Sequence, residues 1–262
     1  MVHADPTLRF STRVENYIRY RPGYPSQVLE SLRTECGLTS AAVVADIACG
    51  TGIFTRMLLE NGNPVYGVEP NREMREAAER LLADHRNFTS IAGTAEATTL
   101  PSQSVDFATA AQAAHWFDLP KARQEFARIL KPGGWAVLIW NERGTDTTPF
   151  LRAYEELLLA YGTDYEQVRH EHTTDNIAEF FTPTPFESRV FEMRQDFDYS
   201  QLEGRLLSSS YAPMPEHQNY EPMLKKLRHI FDEYRKDGQV GMEYFTRMYY
   251  GCLSRFRRSA EW

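Results

Sequence analysis

The stretch VVADIACGTGIF, residues 43–54, decides the fold of this chain. Its first five residues are apolar except for one acid and rich in β-branched side chains, which predicts a buried parallel strand. Gly50 and Gly52 follow in G-x-G spacing, and a helical pattern then continues to Glu60. Glycine suits such a turn because the backbone can bend sharply and a ligand can approach closely. A strand, a glycine turn and a helix together predict the first unit of a nucleotide-binding α/β fold.

Two ligands fit a turn of this kind, a dinucleotide and S-adenosylmethionine. The dinucleotide fingerprint requires a third glycine or an alanine, but Thr55 stands at that position. Asp46 precedes Gly50 at the carboxyl end of the strand. A carboxylate is unfavourable beside a pyrophosphate and favourable near a cationic ligand or loop amides. The turn therefore fits a pyrophosphate poorly, and the choice between the two ligands depends on the rest of the chain.

The segments beyond the turn repeat the strand–helix pattern. Residues 65–70 (VYGVEP) predict a second strand that ends in Glu69, about 20 residues past the glycine turn, where an acid can bind ribose hydroxyls. Asn71 is expected to cap a helix over residues 72–82. The following segments are IAGTAE (91–96), a turn leading into a fourth strand (100–110), AAHWFD (113–118), a helix over 119–130, KPGG (131–134) and a strand over 135–140.

These motifs resemble those of class I S-adenosylmethionine-dependent methyltransferases. D-x-A-C-G-T-G resembles the family's motif I, and helix–K-P-G-G–strand resembles its C-terminal motif. The resemblance covers roughly residues 10–145, and A-x-H-W-F-D together with YIRYRPGYP (17–25) resembles the type 11 or trans-aconitate methyltransferase-like subgroup. It implies an α/β, Rossmann-like fold with a seven-stranded, mostly parallel sheet of order 3-2-1-4-5-7-6, strand 7 antiparallel, flanked by helices.

The same resemblance implies one methyltransferase domain over residues 1–262. We expect an N-terminal helical lid segment (1–35), a cofactor-binding core (36–145) and a substrate-side helical elaboration with the last two strands (146–262). Periodicity in the last part predicts helices over 150–161, 199–209 and 220–235 and strands over 188–197 and 241–250.

The resemblance also implies a cofactor site for S-adenosyl-L-methionine. Glu96 is expected at the adenine amino group and Arg21 at the methionine carboxylate, although residues 20–25 also suit a turn that only anchors the chain. The full set of expected cofactor-binding residues is Tyr20, Arg21, Asp46, Ala48, Gly50, Gly52, Glu69, Pro70, Met74, Ala95, Glu96, Ala111 and Gln112.

Substrate-side residues are expected beyond the carboxyl ends of the strands, where ligands bind in open α/β sheets. His115 is the candidate catalytic group, with packing between aromatic neighbours as its alternative role. Asn141 and Arg143 suit a polar or carboxylate substrate or a solvated loop. The expected substrate-binding residues are Tyr24, His115, Trp116, Asn141 and Arg143. His170-Glu171-His172 lacks a third ligand nearby, so no metal site is expected.

The expected reaction is in-line displacement at the sulfonium methyl group, which needs a base only if the acceptor must lose a proton. The sequence predicts methyl transfer to a small molecule, at a carboxylate or hydroxyl oxygen. Two alternatives remain: a non-catalytic S-adenosylmethionine-binding protein and an NAD-dependent oxidoreductase.

Composition narrows the class of protein further. The net charge of −7 and the pI near 5.6 argue against sequence-independent nucleic-acid binding. No apolar run approaches the roughly 20 residues of a membrane span, and residues 1–6 lack a signal pattern. Three cysteines without C-x-x-C spacing suit reduced thiols. We expect a cytoplasmic enzyme with a small-molecule substrate and no nucleic-acid or membrane partner; monomer and homodimer both remain open.

Overall fold

The computed structural model describes residues 14–168 and 173–253. His170-Glu171-His172 therefore lies outside the described residues. Within those residues, no helix has both the length and the apolar character that crossing a membrane requires.

One seven-stranded mixed sheet runs through the structure in the order β3-β2-β1-β4-β5-β7-β6, which confirms the predicted order. The pairs β3–β2, β2–β1, β1–β4 and β4–β5 are parallel. The strands are β1 Val44–Ile47, β2 Val65–Val68, β3 Phe88–Ile91, β4 Val105–Ala111, β5 Leu130–Arg143, β6 Glu187–Phe197 and β7 Val240–Cys252.

Helices connect the strands, and the helices predicted over 72–82, 119–130, 150–161, 199–209 and 220–235 are all present. The α-helices are α1 Val14–Tyr20, α2 Gln27–Cys36, α3 Ile53–Glu60, α4 Arg72–Leu81, α5 Leu119–Ile129, α6 Pro149–Tyr161, α7 Tyr165–Val168, α8 Thr173–Phe181, α9 Tyr199–Leu207 and α10 Tyr220–Tyr234. A short 3₁₀ helix covers Ala114–Trp116. The prediction for α3 is confirmed at both ends, and Asn71 caps α4 by accepting the Met74 N–H at 2.8 Å.

The chain forms two compact units. Among the described residues, unit 1 comprises 14–23, 141–168 and 192–246, and unit 2 comprises 24–140, 173–191 and 247–253. One boundary between the units lies between Gly23 and Tyr24, and three others fall inside β5, β6 and β7.

Unit 2 has a hydrophobic core on each face of its strands. Successive residues alternate between the two cores because strand side chains point to opposite faces. Val44 belongs to the core with α2 and α3, whereas its neighbour Ala45 belongs to the core with α5 and α8, and both are fully buried. Burial on both sides explains why β1 consists of apolar residues apart from Asp46.

Unit 1 has a core of its own, built from α6, α9, α10 and β7. Leu157, Leu202, Leu227 and Tyr244, one from each of these elements, are at most 1 % exposed. Each helix contributes one apolar face, which is the amphipathic pattern that predicts them from sequence.

Strand β5 starts earlier than expected and includes the K-P-G-G segment. The backbone approaches β4 closely here, because a Cβ on Gly134 would lie 2.9 Å from the Asp106 carbonyl oxygen. Lys131 Nζ bonds both carboxylate oxygens of Asp106, at 3.0 and 2.9 Å. The register between β4 and β5 shifts between Val105 and Phe107, next to this contact. K-P-G-G is thus an irregular start of the strand.

Candidate cofactor and active site

The glycine turn at the carboxyl end of β1 requires both of its glycines. Gly50 and Gly52 have φ values of +58° and +84°, in the left-handed region that side chains disfavour. A Cβ on Gly52 would also lie 2.7 Å from Leu82 Cδ1. The turn therefore depends on glycine for its backbone conformation and, at Gly52, for the approach of Leu82.

The side chain of Asp46 is buried next to the turn and holds the elements around it by hydrogen bonds. Its carboxylate is 1 % exposed and accepts the hydroxyls of Thr55 (2.6 Å) and Thr109 (2.9 Å). Burial raises the pKa of Asp46 to about 6, against the lowering effect of these hydrogen bonds. Because Thr55 belongs to α3 and Thr109 to β4, this one side chain joins both elements to β1.

This contact gives Thr55 a role at the third-glycine position of the dinucleotide fingerprint. Thr55 is fully buried, and its hydroxyl donates a hydrogen bond to Asp46. A glycine at this position would allow the helix to pack closely against the strand but could not form this hydrogen bond. Gly52, the N-cap of α3, has no side chain that could accept a hydrogen bond. Asp46 instead accepts the backbone N–H of Thr55 in the first turn of the helix. The sequence signal is an acid at the strand end followed by threonine in the third helical position.

Glu69, at the end of β2, bridges the turn and the next helix. One carboxylate oxygen accepts the Gly50 N–H and the other accepts the Asn71 N–H, both at 2.8 Å. The residue is 6 % exposed, and burial raises its pKa, against the lowering effect of these two amides and of Arg75. Each oxygen keeps a second lone pair for a ligand hydroxyl.

The electrostatics of the turn disfavour a dinucleotide. The negative charges of Asp46 and Glu69 repel each other. The pKa of the neighbouring Cys49 thiol lies well above its usual range, mainly because the thiol is buried and also because these two acids are close to it. A pyrophosphate would meet two acidic side chains and would compete with Glu69 for the Gly50 N–H. A ligand with ribose hydroxyls and a positive charge fits this environment better.

Thr51 provides a direct test of whether a polar ligand fits the turn. It is 3 % exposed, and its hydroxyl has no hydrogen-bond partner among the residues that the structure describes. A buried hydroxyl without a partner costs free energy that a bound polar group offsets. The Thr51 hydroxyl is therefore available to bond a polar ligand group at the turn.

Two further residues next to the turn hold unfavourable backbone conformations. Ala48 and Gln112 follow the neighbouring strands β1 and β4 and have φ values of +54° and +58°. Left-handed non-glycine residues cost about 1–2 kcal/mol each and concentrate at functional sites. The Gln112 N–H donates to the Ile139 carbonyl at 2.8 Å, which holds this conformation in place.

The remaining expected cofactor residues of unit 2 lie around these strand ends. Met74 is 4 % exposed, and its Cε lies 3.6 Å from where a Cβ on Gly50 would be. Glu96 accepts the Asp118 N–H at 2.9 Å, at the start of α5. Ala95 is buried, and Pro70 and Ala111 are half-buried.

The aromatic candidates of unit 2 pack against neighbouring rings. His115 and Trp116 are half-buried in the 3₁₀ helix after β4, with ring centroids 4.6 Å apart. Tyr24 lies edge-on to Phe54 of α3, at 5.2 Å. The side chain of Tyr24 thus contacts the helix that follows the glycine turn.

The other four candidates belong to unit 1, where each contacts residues of that unit. The Tyr20 ring covers Gly204 of α9 so closely that a Cβ there would lie 2.1 Å from it. Arg21 Nη2 donates to the Ser208 carbonyl at 3.0 Å. Asn141 donates to the Gly23 carbonyl at 2.8 Å and accepts the Thr246 hydroxyl at 2.6 Å.

Arg143 forms a buried ion pair that the sequence does not reveal. It bonds Glu155 of α6, and the two side chains are 10 % and 12 % exposed. The guanidinium also donates to the Tyr165 hydroxyl at 3.0 Å and lies 5.0 Å from the Tyr154 ring centroid. A substrate carboxylate at Arg143 would have to compete with Glu155.

Comparison with known sequences finds methyltransferases that match the segment containing the glycine turn. Residues 45–138 match the family described as "Methyltransferase domain". An uncharacterized methyltransferase of Mycobacterium tuberculosis is 36 % identical over 169 residues, which are 64 % of this chain and 65 % of that protein. A second uncharacterized methyltransferase-like protein, from Schizosaccharomyces pombe, is 31 % identical over 156 residues, 59 % of each chain. The chain thus spans about two thirds or less of the relatives it matches.

Solved structures with the same fold extend the likeness to most of the chain. A type II methyltransferase structure from Anaeromyxobacter dehalogenans has a TM-score of 0.67 at 22 % identity and covers 90 % of this chain and 100 % of its own. Phosphoethanolamine N-methyltransferase 2 of Haemonchus contortus, solved with S-adenosyl-L-methionine, has a TM-score of 0.54 at 17 % identity and covers 93 % and 58 %. Residues 45–138 of this chain thus match a methyltransferase domain family in sequence, and the fold of the chain is similar to that of solved methyltransferase structures.

Proposed function

We propose that this protein is an S-adenosylmethionine-dependent methyltransferase that acts on a small molecule. The observation that carries the proposal is the buried carboxylate of Glu69, which bonds the Gly50 N–H at the left-handed glycine turn. An acid in this place can accept ribose hydroxyls and disfavours a pyrophosphate. The methyltransferase match over residues 45–138 covers the same turn.

Unit 2 supplies groups for each part of the cofactor that we assign to it. Glu69 accepts the ribose hydroxyls, and the Thr51 hydroxyl takes a polar group that reaches the turn. Glu96 accepts the adenine amino group, with Ala95 beside the ring. Asp46 acts as a positioning residue, since both of its oxygens already bond Thr55 and Thr109.

The cofactor supplies an electrophilic methyl group on a positively charged sulfur. The chain contributes by holding the acceptor in line with that methyl group, which can account for most of the rate enhancement. A carboxylate acceptor needs no base, whereas a hydroxyl acceptor must lose its proton. His115 is the group we assign to that proton, because it follows β4 and is half-buried beside Trp116.

The proposed acceptor atom is an oxygen of a carboxylate or hydroxyl group. The half-buried rings of His115 and Trp116, after β4 in unit 2, provide a surface of the kind that contacts small organic molecules.

Methyl transfer from labelled S-adenosylmethionine into a fractionated metabolite extract tests this proposal. We expect label in one or a few small molecules, lost on hydrolysis if the product is an ester. Saturable cofactor binding with no label in any fraction would favour a binding protein without turnover and would contradict the enzymatic part of the proposal.

A further inference from the structure

Unit 1 contains a buried arginine that has no carboxylate partner among the residues that the structure describes. Arg205, on α9, is 7 % exposed. Its Nε donates to the Tyr244 hydroxyl at 3.2 Å, and its Nη1 donates to the Ser209 hydroxyl at 3.0 Å. Among the residues that the structure describes, no carboxylate forms a hydrogen bond or ion pair with Arg205.

Burial does not remove this charge. Burial lowers the pKa of Arg205, but the phenols of Tyr244, Tyr211 and Tyr154 raise it by more, so the guanidinium stays protonated. A buried charge without a counter-charge is strongly unfavourable, and most proteins pair it. The position of Arg205 therefore calls for an anion that the described residues do not provide.

A second buried arginine shares these phenols and leaves the charge balance uneven. Arg143 also interacts with Tyr154 and Tyr211, and its partner is Glu155. The cluster of Arg143, Arg205 and Glu155 thus carries two positive charges and one negative charge. A single negative charge would balance it.

The hydrogen bonds around Arg205 indicate the same shortage of acceptors. Nη2 of Arg205 has no acceptor in the described part of the chain. The Tyr244 hydroxyl donates to the sulfur of Met242 at 2.9 Å, and a thioether is a weak acceptor. Among the described residues, the Arg205 Nη2 group and the neighbouring Tyr244 hydroxyl therefore both lack a strong acceptor.

We propose that Arg205 is the anchor of a binding site in unit 1 for a small organic monocarboxylate. The planar guanidinium matches a carboxylate in geometry, and one carboxylate balances the excess charge of the cluster. Arg205 bonds Tyr244, which belongs with Tyr154 and Met242 to the hydrophobic core of unit 1, and these apolar neighbours of Tyr244 favour an organic acid over an inorganic anion. The proposal concerns binding alone and does not depend on methyl transfer.

Calorimetric titration of the full-length protein with acetate, hexanoate, benzoate and phosphate at constant ionic strength tests the site. We expect saturable binding of hexanoate or benzoate, weaker binding of acetate and none of phosphate. Arg205→Met, which keeps the volume of the side chain, should weaken carboxylate binding about tenfold or more, because a charge-assisted hydrogen bond is lost. Arg205→Lys keeps the charge without the planar fork and should also bind more weakly.

The matched control is Arg194→Met, which removes a charge from an exposed pair with Asp196, where the side chains are 61 % and 46 % exposed. This variant should bind carboxylates as the wild type does. Thermal unfolding should show that Arg205→Met remains folded, because no buried counter-charge is left behind. Equal affinity in the wild type and Arg205→Met, no carboxylate binding to the wild type, or phosphate binding as tight as carboxylate binding would each overturn the proposal. Since no methyl donor is present, these results are independent of the proposed enzymatic activity.

Discussion

The Thr55 hydroxyl donates to the buried carboxylate of Asp46 at 2.6 Å, which ties the helix after the glycine turn to the strand before it. The same carboxylate holds Thr109 of β4 at 2.9 Å. The conformation of the glycine turn thus depends on the buried Asp46 side chain, which precedes the turn in the sequence.

Asp46→Ala should destabilise the protein by about 1–3 kcal/mol, because the hydroxyls of Thr55 and Thr109 both lose a buried acceptor. S-adenosylhomocysteine should also bind more weakly, since the turn loses its support. Urea unfolding and calorimetric titration measure the two effects. Unchanged affinity in the folded variant would show that the Asp46 carboxylate does not shape the cofactor site.

Asp46 should also give stability a specific pH dependence. Its pKa is about 6 in the folded state and 3.8 as an ordinary carboxyl group. The folded state therefore holds this proton more tightly, and the stabilisation is present below about pH 4 and lost as the pH rises through about 6. Relative to Asp46→Asn, the free energy of unfolding of the wild type should fall by roughly 3 kcal/mol across that window.

Denaturant unfolding of both proteins from pH 4 to pH 7 measures this difference, and shifts at other residues such as Glu69 largely cancel. A constant difference would mean that the Asp46 carboxyl group titrates alike in the folded and unfolded chain.

Gly52→Ala should destabilise the protein more than Gly37→Ala. Both glycines have positive φ, +84° and +71°, so both variants carry the strain of about 1–2 kcal/mol. Only at Gly52 would the added Cβ also overlap Leu82, at 2.7 Å, since Gly37 has open space around it. Thermal unfolding compares them, and equal losses would contradict the close approach of Leu82.

The glycine turn shows which features of the structure can be predicted from the sequence. Gly50, Gly52 and the helix pattern predict α3 at both ends because local conformation dictates them. The same local rules predict the Asn71 cap. They cannot predict the partner of Arg143, because Glu155 becomes its neighbour only through the packing of unit 1.

The binding role that we propose for Arg205 has no sequence signal for the same physical reason. The residues expected to bind the cofactor each follow a predicted strand, so their positions along the sequence indicate their role. Arg205 has no such motif, and its significance depends on the absence of a carboxylate partner among the described residues in three dimensions.

Glu155→Gln should cost about 3–5 kcal/mol, because it leaves the Arg143 guanidinium buried without its counter-charge. Asp196→Asn, in the exposed pair with Arg194, is the control and should cost less than about 1 kcal/mol. Urea unfolding distinguishes the two. A loss at Glu155 no larger than at Asp196 would mean that the buried pair is well solvated.

Glu69→Gln should weaken S-adenosylhomocysteine binding about 10–100-fold, because charge-assisted hydrogen bonds to the ribose and to the Gly50 N–H are lost. Glu76→Gln removes an acid of α4 that is 54 % exposed and should leave the affinity unchanged. Calorimetric titration of both variants checks the comparison, and equal affinities would remove Glu69 from the cofactor site.

Binding of S-adenosylhomocysteine to the wild-type protein, measured by calorimetry in competition with NADH, tests the central claim most directly. The glycine turn, with the acids Asp46 and Glu69 beside it, predicts saturable binding of S-adenosylhomocysteine that NADH does not displace. Saturable binding of NADH without binding of S-adenosylhomocysteine would contradict the account.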